Sequence, residues 1–231
     1  FLSGLMDFLA QSATYNGLPF DWYNLPDNSP TLAALKAESE RRGLTYREEI
    51  YRPTPRIALN GSFDDYLARV EKKQRHEIRR KLRRAAESEI PVNFYVVEDA
   101  AVLDSEIESF FQLMEHDSSK ANFLTASMRE QMKSVIQTAF DHDYLWLAFL
   151  TVDGVKAAAC LNFDYKNKLW GYNSGVSREF MELSPGWVLL GHQLQWACEH
   201  GRAEFDFMRG DEEYKYRFGA VNQYVMRVRV S

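Results

Sequence analysis

Three apolar runs between residues 144 and 174 are separated by Asp153-Gly154 and Lys166-Asn167. Both dipeptides are hairpin signals, so the pattern predicts an antiparallel meander of strands over 144–152, 155–165 and 168–174. Upstream, residues 63–88 contain neither Gly nor Pro, and Phe63, Leu67, Val70, Ile78, Leu82 and Ala85 recur at helical spacing. That periodicity predicts one amphipathic helix with Ser62 as its N-cap. Pro91 closes the segment, and "VNFYVVE" at 92–98 reads as a strand. Helices are expected over 104–115 and 126–140, joined by "HDSSKANFLT". Ser184-Pro185-Gly186 opens a further helix that runs to about residue 200, where Gly201 stops it. A short strand at 203–207, a turn, a short helix and the terminal strand "VNQYVMRVRV" follow. Strand, two helices, meander, helix, strand, helix, strand is an α/β (α+β) order with a largely antiparallel sheet flanked by helices, not a doubly wound one.

The first 60 residues carry a partial echo. "FDWYNLP" at 20–26 resembles "FDFMRGD" at 205–211, and a helix over 30–42 and strands over 44–51 and 56–59 are expected after it. If the echo is a repeat, residues 1–62 are the tail of an incomplete first half, 63–90 a connecting helix, and 91–231 the principal domain.

Composition changes this picture little. At 231 residues, 45% hydrophobic and 26% charged, the chain is long enough for a substantial core and has no signature of disorder. The longest stretch without Asp, Glu, Lys or Arg is residues 183–198, too short and too polar to span a bilayer. "FLSGLMDFLAQSATYNG" has no basic leader region and reads poorly as a signal peptide, so a cytoplasmic piece of a longer protein is expected. Cys160 and Cys198 lie in apolar runs, as buried thiols do, and Asn60-Gly61-Ser62 is taken as a turn.

Charge changes it more. The net formal charge is −5, yet between Arg69 and Arg84 nine Lys/Arg face Glu71 and Glu77 alone. Such a face is either solvated or a rail for the phosphates of a tRNA or a nucleotide-linked substrate, with Arg75 and Arg79 as contacts. Asp141-His142-Asp143 and His116-Asp117 lack metal-ligand spacing, and no metal is expected.

Two stretches carry candidate chemistry. A strand ending at Ser174, followed by a helix beginning at Ser184-Pro185-Gly186, directs backbone N–H groups and the positive helix end at the strand's exit. Ser184, Gly186, Trp187 and Val188 are therefore candidate pyrophosphate contacts, and Tyr172 and Ser174 candidate acceptor contacts. In "FDFMRGDEEYKYRFG" at 205–219, Asp206 falls on the sheet face opposite Phe205 and Phe207. Gly210 permits a turn, and Asp211 is placed to cap the helix carrying Tyr214 and Lys215.

These pieces, with "KKQRHEIRRKLRRAAES" and "YNSGVSREFMELSPGWVLLGHQLQWACEHG", resemble the GNAT acyltransferase superfamily in its CelD-type and Fem-type branch. The resemblance covers about residues 63–231. CelD-like members show D-F-x-R-G-D-x-x-Y-K, matched here by Asp206, Phe207, Arg209, Gly210, Asp211, Tyr214 and Lys215. It implies a GNAT-like sheet preceded by part of a second GNAT-like half, and transfer of an acyl group to an amine of a sugar or peptide-like precursor. Tyr214 would be the acid, Asp206 or Asp211 the base, and Arg209 or Lys215 the anchor of an anionic substrate. The implied donor is acyl-CoA, such as acetyl-CoA. The glycine-rich pyrophosphate run is replaced by "MELSPGWV", which keeps only Gly186, so aminoacyl-tRNA, or a non-catalytic module of polysaccharide biosynthesis, stays open.

Overall fold

The computed structural model describes every residue except 13 and 16. In chain order it contains α1 (Leu2–Gln11), β1 (Phe20–Pro26), α2 (Pro30–Arg41), β2 (Tyr46–Ala58), α3 (Phe63–Arg69), α4 (Lys72–Ala86), β3 (Val92–Val96) and α5 (Leu103–Glu115). Then come α6 (Ser118–Phe123), α7 (Ala126–Asp141), β4 (Leu145–Val152), β5 (Val155–Tyr165) and β6 (Lys168–Val176). A 3-10 turn (Met181–Leu183), α8 (Pro185–Glu199), β7 (Glu204–Asp206), α9 (Glu213–Arg217) and β8 (Val221–Val230) complete the chain. Two compact units result, one of residues 1–55, 209–211 and 222–231, the other of 56–208 and 212–221.

In the smaller unit β1 runs antiparallel to β8, from Phe20 opposite Val230 to Pro26 opposite Val225. A bulge between Trp22 and Leu25 is accommodated by Asn24 at φ 61°. Met6 of α1 and Leu32 and Leu35 of α2 bury against Val228 and Val230. The strands expected at 44–51 and 56–59 are one continuous β2 instead. Pro53 and Pro55 stand two residues apart, so the two missing N–H donors fall on the same strand edge and the other edge stays intact. The helix α1 is an addition to the expected elements.

The larger unit carries a sheet in the order β2, β7, β6, β5, β4, β3, to which β2 contributes Arg56, Ile57 and Ala58. Every pairing in it is antiparallel except β6 with β7. The meander forms as the hairpin signals require. Asp153 and Gly154 have φ 51° and 76°, and Lys166 and Asn167 φ 50° and 61°, the doubly left-handed turn whose twist matches the flanking strands. Both faces of the meander are covered, and its side chains sort by the period of two. Trp146, Ala148, Leu150, Ala158 and Cys160 join the core under α3, α4 and α8. Leu147, Phe149, Ala159 and Leu161 join the one under α5 and α7.

The helix expected over 63–88 is broken in two. Val70 is extended (ψ 143°) with its side chain buried, and Glu71 accepts the N–H groups of Lys73 and Gln74 to cap α4. Ser62 and Asp65 form a reciprocal capping box on α3, after the turn at Asn60-Gly61, where Gly61 has φ +91°. The linker "HDSSKANFLT" contains α6, capped by Asp117 through the N–H groups of Ser119 and Lys120. No helix among the described residues is long and apolar enough to cross a membrane.

Candidate active site

The parallel strands β6 and β7 pair over three rungs only, Lys168 with Glu204, Leu169 with Phe205 and Trp170 with Asp206. Beyond them β6 continues for six residues, to Val176, while β7 ends. Its end is built by Asp206. One carboxylate oxygen accepts the Met208 N–H at 2.7 Å, in a turn that holds Met208 at φ 54°. The other lies 3.0 Å from Nε of Arg56, a contact of opposite charges. Asp206 is 1% exposed; burial raises its pKa, and the Arg56 charge opposes the rise.

The edge that β6 presents past Trp170 is set by the ladder on its other side. Ser177 donates its N–H to the Ala157 carbonyl, and with Cys160 opposite Ser174 the antiparallel alternation turns the N–H and C=O of Ser174 away from β5. Both groups are engaged. The Ser174 N–H donates to Oδ1 of Asn173 at 2.9 Å, and its carbonyl accepts from Nζ of Lys120 at 2.5 Å, with Oγ 3.4 Å from the same ammonium. Lys120 is half-buried, and desolvation, offset by the charges of Asp117 and Glu212, lowers its pKa. Tyr172 is the extra residue of a bulge, because Leu161 faces Asn173 while Asn162 faces Gly171. Its ring meets that of Phe163 at 5.9 Å. Gly175 lets α5 approach: a Cβ there would lie 2.5 Å from the backbone of Leu113 and Met114.

The short helix α9 packs against Phe207, just past the end of β7, and against the start of α8. Tyr214 packs edge-on against Phe207 at 6.0 Å, and Phe218 meets Trp187 at 4.7 Å. The hydroxyl of Tyr66 donates to the Phe218 carbonyl at 2.8 Å. Tyr214 is 41% exposed, and its hydroxyl is pushed up to about 12, first by desolvation and then by the Glu212 carboxylate. It is a protonated donor at neutral pH. Lys215 is 3% exposed, with Nζ 2.8 Å from Glu212 and 3.4 Å from the Phe207 carbonyl. Glu212 occupies the N-cap of α9, without a side-chain bond to it, in place of the predicted Asp211. Asp211 and Arg209 group with the smaller unit, where Arg209 donates to Oδ1 of Asn24 at 3.4 Å and the Gly210 N–H to the Pro53 carbonyl.

The start of α8 offers fewer free N–H groups than its sequence suggests. Ser184 sits at φ 53° and makes no side-chain cap, donating its own N–H to Met181. Pro185 has no N–H, and those of Trp187 and Val188 both go to the Ser184 carbonyl. Gly186 packs closely on β6: a Cβ there would lie 3.2 Å from Cγ2 of Val176, which would have to give by a few tenths of an ångström. Beside this start runs α4. Nζ of Lys81 lies 4.1 Å from the Trp187 ring centre, in a cleft of about 440 Å³ that Lys73 and Arg217 also line. Arg80, Arg83, Arg84 and Leu183 line a second cleft, of about 490 Å³. Arg79 pairs with Asp64 at 2.8 Å, and Arg75 donates to the Ala68 carbonyl. Among the described residues no three His, Cys, Asp or Glu gather to hold a metal ion.

The chain belongs to the acetyltransferase (GNAT) domain family, whose model matches residues 72–216, which makes it a transferase of the acyl-transfer class. Solved structures share its fold. A conserved protein of unknown function from Bacteroides thetaiotaomicron is 11% identical at a TM-score of 0.67, over 100% of this chain and 75% of that one. L-PGS from Bacillus licheniformis is 11% identical at 0.64, over 98% and 72%. FemX is 15% identical at 0.53, over 98% and 76%. No curated protein sequence matches the chain.

Arg56, beside the end of β7, and Lys120, on the β6 edge at Ser174, were not among the sequence candidates. The first lies between prolines and the terminal residues of a strand, and the second in the linker that proved to be α6. The Asp-Ser-Ser-Lys run, a capping pattern, was the available signal for α6.

Proposed function

We propose that the chain is an N-acyltransferase that takes an acyl group from acyl-CoA and passes it to an amine of a sugar or peptide-like precursor at the opening between β6 and β7. The observation that carries this reading is the separation of the two strands after three rungs, with Tyr214 and Glu212 at the start of α9 in the same unit. The acyl arm lies along the β6 edge past Trp170, its nucleotide toward Gly186 at the start of α8 and the cations of α4. The acceptor enters by Tyr172 and Ser174. The amine nitrogen attacks the thioester carbonyl, forming the C–N bond. The nitrogen's proton passes to the carboxylate of Glu212, 58% exposed. As the C–S bond breaks, the departing thiolate takes its proton from Tyr214. Lys215 holds Glu212 in place, and Asp206, committed to Arg56 and the Met208 N–H, fixes the end of β7.

The test is thiol release from acetyl-CoA with a panel of amino sugars and peptide amines. Tyr214→Phe should lower kcat by about 10²-fold or more with an unchanged melting temperature; equal activity would reject the assignment.

The two clefts along α4, lined by Lys73, Lys81, Arg80, Arg83 and Arg84, favour a second reading, transfer of an aminoacyl group from aminoacyl-tRNA. Salt-sensitive tRNA binding that is lost on neutralising Arg79, Arg80, Arg83 and Arg84 would establish it in place of the first.

A further inference from the structure

The free edge of β6 is already occupied by the chain's own side chains. The Ser174 carbonyl, turned away from β5, accepts from the Lys120 ammonium at 2.5 Å, and the Ser174 N–H donates to the Asn173 side chain at 2.9 Å. An ammonium donor and an amide-oxygen acceptor stand where the N–H and C=O of an added strand would stand. Lys120 is reached from α6 and is half-buried, so it is tethered locally and has a short way to move.

On the reading that the donor's arm lies along β6, we propose that Lys120 and Asn173 set the choice of donor by competing for Ser174 with any extended arm that carries secondary amides. A pantetheine arm, with two such amides, binds only by displacing the Lys120 ammonium from the carbonyl and the Asn173 side chain from the N–H. A donor whose arm has no amide at that rung leaves both contacts in place and meets an ammonium there instead. Lys120 thereby acts as a specificity-determining residue, although the sequence places it in a linker.

The experiment is calorimetric titration of wild type, Lys120→Met and Asn173→Ala with CoA and, separately, with 3′,5′-ADP, which has CoA's anionic nucleotide but no arm. Methionine keeps the half-buried stem and removes the donor, and thermal melts establish that each variant is folded. Lys120→Met should bind CoA more tightly, by about five-fold, the equivalent of one net hydrogen bond no longer to be broken. Its affinity for 3′,5′-ADP should be unchanged, and Asn173→Ala should shift CoA in the same direction. Removing a cation that merely attracts phosphates would weaken both ligands. Wild-type CoA binding that is unchanged or weakened in Lys120→Met overturns the competition and leaves the acyl-CoA reading standing. Absence of CoA binding by wild type and variants alike overturns both.

Discussion

Replacing Arg56 by alanine removes the guanidinium that lies 3.0 Å from the Asp206 carboxylate and leaves that carboxylate inside the sheet, 1% exposed. Breaking a buried ion pair from one side costs about 3–5 kcal/mol, because the remaining charge is uncompensated. Here part of the compensation survives. The Met208 N–H still donates at 2.7 Å, Lys168 still favours the charged form, and the Arg56 side chain itself keeps 20% of its surface. About 2–3 kcal/mol is the expected loss at pH 7, a fall of roughly 4–12 °C in melting temperature for a chain of this length. Its pH dependence has a definite sign. Burial raises the Asp206 pKa in the folded protein, so the native state takes up this proton at a higher pH than the unfolded chain does. The charge-dependent part of the loss is therefore present above the folded pKa and disappears as pH falls through it. Urea denaturation of wild type, Arg56→Ala, Asp206→Asn and the double variant at pH 7 and pH 4 would measure it. The double variant should lose less than the two single losses combined. A loss under about 0.5 kcal/mol at pH 7, inside the range of ordinary surface substitutions, or one identical at both pH values, would refute the argument.

Two further outcomes follow from packing and burial. Gly175→Ala would place a Cβ 2.5 Å from the α5 backbone at Leu113 and Met114; backbone cannot yield as a side-chain tip can, so a loss of about 1–3 kcal/mol is expected, read by denaturant titration, with wild-type stability as the contrary result. His192 stacks on Phe94 at 4.9 Å, and desolvation lowers its pKa. Its contribution to stability is present above the ordinary histidine pKa and is lost as pH falls through the lowered one. NMR titration should find its midpoint below that of an ordinary histidine, and a midpoint at or above the ordinary value would contradict the effect of burial.

The meander, both of its turns and α8 were legible because each rests on a local signal: period-two apolar runs, turn dipeptides, and Pro at the first helical position. The division of 63–88 was hidden because Val70 and Glu71 fit the helical period, and only the competing cap at Glu71 shows why the chain stops and restarts. Asp206 could be picked out because the period of two sets it on the strand face opposite Phe205 and Phe207, and Tyr214 because the D-F-x-R-G-D-x-x-Y-K resemblance covers it. Arg56 and Lys120 could not. Their importance comes from partners 150 and 54 residues away, which the folded sheet supplies and no local pattern encodes. The start of α8 differs in the opposite direction, since Ser184 reads as a cap but has a left-handed backbone without a side-chain cap, and its carbonyl takes the Trp187 and Val188 N–H groups that the sequence offers to a phosphate.

Binding of the donor along the β6 edge past Trp170, as proposed, is tested by hydrogen–deuterium exchange with and without CoA at the amides of β6 and the end of β7. Slower exchange at residues 172–176 and 206–208 is the predicted result; protection confined to α4, or none anywhere, would contradict it.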